Sequence, residues 1–291
     1  MQPLSGKLNT IDGRCLHFRA WGDPARARIV LIHGFGQGGY AWSAFVRALR
    51  PDCTVIGLDL SGHGDSDWRT DCAYDASHHA HDVAAALNTL DLREVVLIGH
   101  SLGAEVALRL AEPLRKQIRA VVLMDGGPDL NAATLDHLYR QFCAQPWIYP
   151  SQDAYAERLA ETMPLTSRDT LGEFAREALR RIDGAAFELK CDPALRLAPP
   201  PRSSPSLWRL VEEVNVPTLL VRGAGSAVLS PHTAERIVRA LPNGSLVTVP
   251  CAGHAVLLDN PSGSAREVHA FLSQLPVSSA AKRAVGVMCQ R

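Results

Sequence analysis

The sequence predicts an α/β fold organised on a mostly parallel sheet. Three observations carry that reading. Short apolar runs suited to buried strands recur at 28–32, 54–58, 95–98, 119–124, 218–221 and 245–249. Between most of them lie stretches with helical spacing of apolar residues, as parallel crossovers require. Glycine-rich or polar loops follow the strands, where open α/β sheets place their sites.

Taken in order, residues 7–11 and 14–21 flank Asp12-Gly13, a two-residue hairpin signal, so the sheet begins with an antiparallel hairpin. The strand at 28–32 enters His33-Gly34-Phe35-Gly36-Gln37-Gly38-Gly39. That loop lacks the Gly-Lys-Ser/Thr ending of a phosphate loop and does not fit G-x-G-x-x-G. It is suited instead to bringing a backbone N–H close to a reacting carbonyl, with Phe35 as the donor. A helix over 40–50 and the strand at 54–58 lead into Asp59-Leu60-Ser61-Gly62-His63-Gly64-Asp65-Ser66. The helix over 74–90 holds His78, His81 and Asp82 on a shared face. No cysteine or further carboxylate completes a ligand set there, so solvated or capping histidines are the reading and no metal is expected.

The strand at 95–98 runs into Gly99-His100-Ser101-Leu102-Gly103, which fits G-x-S-x-G, and helical spacing resumes from Ala104. A strand must turn sharply into a helix with Ser101 at the turn. Such a turn lifts the hydroxyl clear of the sheet and puts the Leu102 N–H at a helix N-terminus, able to hold an oxyanion. An ordinary serine in a βα turn is the alternative, and the flanking strand and helix favour a nucleophile. The strand at 119–124 ends at Asp125, a carboxylate at a strand tip; its structural alternative is a buried aspartate bonding loop amides.

From 129 to 214 helical stretches dominate, at 135–143, 153–162, 168–182 and 206–213. This reads as a helical insertion between two sheet strands, with 1–128 and 215–276 forming the core and 277–291 a loose tail. Trp147 and Trp208 in the insertion are candidates for lining a substrate cavity, although aromatic residues more often simply pack. After the strand at 218–221 come the loop 223–229, a helix over 231–241, the strand at 245–249, Gly253-His254 and a helix over 261–275.

The 291 residues carry 30 basic and 30 acidic side chains, which gives no reason to expect nucleic-acid or anionic-membrane partners. No apolar run approaches the ~20 residues of a membrane span, and no secretory leader pattern is expected at 1–10. Seven cysteines without a C-x-x-C pair fit free thiols in a reducing cytoplasm.

Four stretches in this order, each at the end of a predicted strand, resemble the α/β-hydrolase fold family: His33-Gly34-Phe35-Gly36, 59–66, 99–103 and Gly253-His254. The resemblance covers roughly 7–276 and implies that the insertion over 129–214 is the family's helical cap over the site. It implies Ser101 as nucleophile, His254 as general base, and the N–H groups of Leu102 and Phe35 as the oxyanion hole. The family's acid usually stands in the loop after the strand preceding the last one, where this chain has Ala227. Asp125 is the candidate replacement, since some relatives carry the acid there. A Ser–His dyad, a degenerate site or an engineered change at 227 are the alternatives. The implied function is hydrolysis of an ester or thioester of a small hydrophobic acyl substrate through an acyl-serine, with no cofactor. The alternatives are acyl transfer, cyclisation or carbon–carbon hydrolysis on the same machinery, or a non-catalytic binding protein that lost its acid.

Overall fold

The computed structural model describes residues 3–10, 13–49, 54–182, 184, 186–197 and 205–276. The chain opens with the antiparallel pair β1 (Leu4–Asn9) and β2 (Cys15–Trp21). Gly13, at φ +83°, donates its N–H to the Thr10 carbonyl, and Thr10 pairs with Arg14. The connection is therefore one residue longer than the expected two-residue turn; Ile11 and Asp12 lie outside the described residues. β3 (Ala27–Ile32) leads into α1 (Ser43–Leu49), and β4 (Thr54–Leu58) into α2 (Ala76–Thr89). β5 (Val95–His100) turns directly into α3 (Leu102–Ala111), and β6 (Ile118–Met124) follows. Next come α4 (Ala132–Ala144), β7 (Ile148–Tyr149), α5 (Gln152–Thr162), α6 (Arg168–Ala178), β8 (Leu179–Arg181), β9 (Phe187–Leu189) and α7 (Pro205–Glu213). β10 (Thr218–Gly223), α8 (Pro231–Ala240), β11 (Gly244–Val249), α9 (Val256–Asp259) and α10 (Pro261–Gln274) close the described chain.

Eight strands form one sheet in the order β1-β2-β4-β3-β5-β6-β10-β11. β2 pairs antiparallel with β1 and β4, and every other neighbour is parallel. Alternation along the central strands explains the two cores. Val30, Ile32, Leu97, Val121 and Leu123 join the core on one face, with α2 and α3. Ile29, Leu31, Val96, Ile98 and Val122 join the core on the other, with α1 and α10. Both faces are covered, so these strands read as continuous apolar runs.

The stretch between β6 and β10 departs from the expected all-helical texture. The predicted helix over 168–182 stops at Ala178, and β8 pairs with β9, which pairs with β7. Leu179 and Leu189 face each other, buried, while Arg180 pairs with Glu188 at 2.7 Å. Strands of two or three residues are too short to show a period of two, and so were invisible in the sequence. Among the described residues, Cys15, Cys72, Cys143, Cys191 and Cys251 are free thiols, and no helix is long and apolar enough to cross a membrane. Cys53, Cys289 and the tail over 277–291 lie outside the described residues.

Two glycines let α3 lie directly on the sheet. A Cβ at Gly99 would sit 2.0 Å from the Gly103 carbonyl oxygen, and one at Gly103 would sit 2.1 Å from that of Ile32. These neighbours are backbone and cannot swing away. Gly103→Ala is therefore expected to cost about 3 kcal/mol, the upper range for overpacking. Gly172, in α6, has only the Arg176 guanidinium near its missing Cβ, at 3.5 Å, so Gly172→Ala should add about 0.5–1 kcal/mol. Urea midpoints at constant slope measure both; effects of the same sign would contradict this packing.

Candidate active site

Ser101 is the hinge between β5 and α3. It adopts φ +52°, ψ −114°, outside the regions that L residues prefer, at a cost of order 1–3 kcal/mol. The turn is held from both sides: the Ser101 N–H donates to the Met124 carbonyl at 3.0 Å, and the Ser101 carbonyl accepts from Ala104 N–H at 3.0 Å. Leu102 takes the first helical position, where an N–H has no intrahelical partner. The loop after β3 is pinned in a complementary way. Gln37 N–H donates to the Gly34 carbonyl (3.2 Å), and the Gln37 side chain accepts from Gly34 N–H (3.1 Å). Among the described residues, neither the Phe35 nor the Leu102 N–H has an acceptor.

The structure brings Ser101, His254 and Asp125 together from three separate loops. The Ser101 hydroxyl donates to His254 Nε2 at 3.1 Å, and His254 Nδ1 donates to Asp125 Oδ2 at 2.8 Å. An acceptor-only carboxylate on Nδ1 fixes the tautomer, leaving Nε2 free to take the serine proton. Asp125 is fully buried at φ +47°, just beyond β6. Its other oxygen accepts from Gly223 N–H at 3.1 Å, and the Ser226 hydroxyl donates to Oδ2 at 2.5 Å. Ser226 Oγ itself accepts from Val228 and Leu229 N–H (3.2 and 3.1 Å), so its only proton is directed at the carboxylate. Ala227, beside it, is exposed. The loop after β10 thus supports the carboxylate instead of supplying it.

Sequence reasoning did not single out Ser226, Arg222 or the role of His100. Buried Arg222 donates to the carbonyls of Leu229 (2.8 Å), Ala224 and Ser226 (both 3.3 Å), which shapes the loop carrying Ser226. A cation at a strand end followed by a glycine-rich loop was the available signal. His100 Nε2 donates to the His254 carbonyl at 2.9 Å, fixing the backbone of that loop beneath the imidazole. Burial drives the His100 pKa down to about 3, so the ring stays neutral. His33, also lowered by burial, accepts from Leu60 N–H at 2.9 Å and ties the loop after β3 to the loop after β4. Asp59 continues that tie. Burial alone would raise its pKa, but the hydrogen bond from His17 (2.7 Å) and that from Asp65 N–H (2.9 Å) bring it below the usual value.

Over Ser101 and His254 lies a cavity of about 350 Å³, within the range of small-molecule sites. α4 and α5 supply much of its wall, including Leu135, Leu138, Phe142, Tyr155 and Leu159. Trp147 and Trp208 are outside the residues that line it, which corrects the expectation for both. Trp147 packs between Phe142 and the Arg196 guanidinium, and Trp208 lies under Arg236 on the sheet core. Arginine stacking, not a ligand, occupies their faces. His78 binds Asp75, the N-cap of α2, at 2.7 Å, whereas Asp82 pairs with Arg14 at 2.8 Å and His81 is exposed.

A family model for the alpha/beta hydrolase fold matches residues 27–261. The chain is similar to a 3-hydroxybutyrate-oligomer hydrolase of Cupriavidus necator, 27% identical over 89% of this chain and 94% of that protein. It is 29% identical to Esterase Rv0045c of Mycobacterium tuberculosis over 83% of this chain and 80% of the relative. The crystal structure of E-2-(acetamidomethylene)succinate hydrolase superimposes with a TM-score of 0.83 at 25% identity, covering 93% of this chain and 99% of the other.

The geometry makes opposite predictions for two positions. Asp125→Asn should keep the fold and lower turnover of an activated ester at least 100-fold, about 3 kcal/mol in barrier. Ala227→Asp should change turnover less than about threefold, because the imidazole has one Nδ1–H and Asp125 already accepts it. A large gain in Ala227→Asp, with Asp125→Asn near the parent, would contradict the assignment of the acid.

Proposed function

The chain belongs to the α/β-hydrolase fold family, and we propose that it is a serine hydrolase acting on an ester or thioester of a small hydrophobic acyl substrate. The observation that carries this reading is the continuous hydrogen-bonded path Ser101–His254–Asp125 at the floor of an apolar cavity. Ser101 attacks the carbonyl while His254 takes its proton, and the N–H groups of Phe35 and Leu102 receive the negative charge on the carbonyl oxygen. His254 then returns the proton to the leaving alcohol or thiol, which departs with the acyl group left on Ser101. Water, deprotonated by the same imidazole, releases the acid and restores the serine.

Residues 129–214 act in this reading as a cap over a core of 1–128 and 215–276. Leu135, Leu138, Phe142, Tyr155 and Leu159 of that segment line the cavity, which supports the assignment. An oligoester hydrolase and an esterase among the relatives support ester chemistry. A non-catalytic binding role rested on Ala227; the carboxylate of Asp125 beside His254 supports catalysis over that role. The free thiols support a cytoplasmic setting, and the partner is a small molecule; no cofactor is part of the mechanism.

A fluorophosphonate probe tests the mechanism. One covalent label per chain is expected, mapped by peptide sequencing to Ser101 and abolished in Ser101→Ala. A label elsewhere, or none on folded protein, contradicts the acyl-serine mechanism.

A further inference from the structure

The cavity wall is apolar over most of its extent, with one fixed cation among the described residues that line it, Arg158. Arg158 shares the cavity-lining side of α5 with Tyr155, Leu159 and Thr162, at the spacing that aligns side chains on one helix face. Among the described residues it donates to Glu161, one turn along the same helix, at 2.7 Å. The Glu161 side chain is 67% exposed, and such a pair contributes little. The guanidinium has five N–H donors and gives Glu161 one hydrogen bond among the described residues. The other charged lining group, Asp259, is already engaged by Gly253 N–H at 2.8 Å and by the Thr166 hydroxyl. His100 is neutral, for the reason given above.

A cation in the wall of an apolar cavity, 35% exposed and paired among the described residues with one exposed glutamate, is available to an anionic ligand. Resting on the serine-hydrolase reading, we infer that the acyl substrate carries a carboxylate separate from the scissile carbonyl, and that Arg158 binds it. Guanidinium and carboxylate match in a two-point, charge-assisted geometry. Apolar walls weaken screening of that pair, so it outcompetes the exposed Glu161. The remaining methylene chain of such a substrate lies against Leu135, Leu138 and Leu159. Arg158 is thus a specificity residue that selects monoesters of dicarboxylic acids over neutral esters of equal length.

Two readouts test the assignment on the full chain. The first is kcat/KM for 4-nitrophenyl hydrogen adipate relative to its neutral methyl ester, in the parent and in Arg158→Gln. The ratio is expected to fall about tenfold or more in the variant, the loss of one charge-assisted contact. The second is calorimetric titration with adipate, which reads the same ion pair without turnover and should weaken by a similar factor. A ratio unmoved by Arg158→Gln, or adipate bound equally or not at all by both proteins, overturns the proposal. Adipate binding that depends on Arg158 in a protein that hydrolyses neither ester upholds the carboxylate site and counts against the hydrolase reading instead.

Discussion

The hydrogen bond from His254 to the buried carboxylate of Asp125 ties together the three loops on which the site depends. A fully buried carboxylate is costly unless its lone pairs are filled. Here Gly223 N–H, the Ser226 hydroxyl and the imidazole fill them, drawing on the loops after β10 and β11 as well as the end of β6. The close approach of those loops is itself tight: a Cβ at Gly223 would meet the Gly253 carbonyl oxygen at 2.0 Å. Moving any one loop leaves a buried donor or acceptor unpaired, so the three hold one another in register.

The same economy explains the serine turn. Ser101 sits at a positive φ because β5 must deliver it above the sheet and α3 must begin at once. The strain persists because its neighbours over-determine it: Met124 accepts the Ser101 N–H, and α3 is seated on Ile32 through Gly103. The outcome is a hydroxyl and two backbone donors on rigid elements, facing a cavity much of whose wall comes from α4 and α5. In the proposed mechanism the core supplies the chemistry and the inserted segment supplies selectivity.

Much of this was legible in the sequence. Six central strands announced themselves because both sheet faces are covered, so each reads as an apolar run. Gly99, Ser101 and Gly103 were legible because the turn leaves no room for a Cβ at either glycine. The family position of the acid, Ala227, left the acid open between Asp125, a Ser–His dyad, a degenerate site and an engineered change; the carboxylate at Asp125 was visible, but its reach to His254 joins loops 129 residues apart in sequence. Ser226 was not legible, since a serine in a glycine-rich loop carries no periodic or spacing signal; Arg222 left one trace, a cation near the end of a buried strand. The β7–β9 sheet escaped notice because its strands are shorter than one alternation pattern. Trp147 and Trp208 misled because large aromatics pack against arginines as readily as they line ligand cavities.

In the proposed mechanism Asp125, rather than position 227, holds the imidazole. Proton NMR of the full chain with 15N-labelled histidine tests it most directly, because a proton shared between imidazole Nδ1 and a buried carboxylate resonates well downfield of the amides. One such resonance is expected, coupled to His254 Nδ1, that moves toward the amide region in folded Asp125→Asn. Absence of the resonance in the parent, or its persistence unchanged in Asp125→Asn, would contradict Asp125 as the partner of the imidazole.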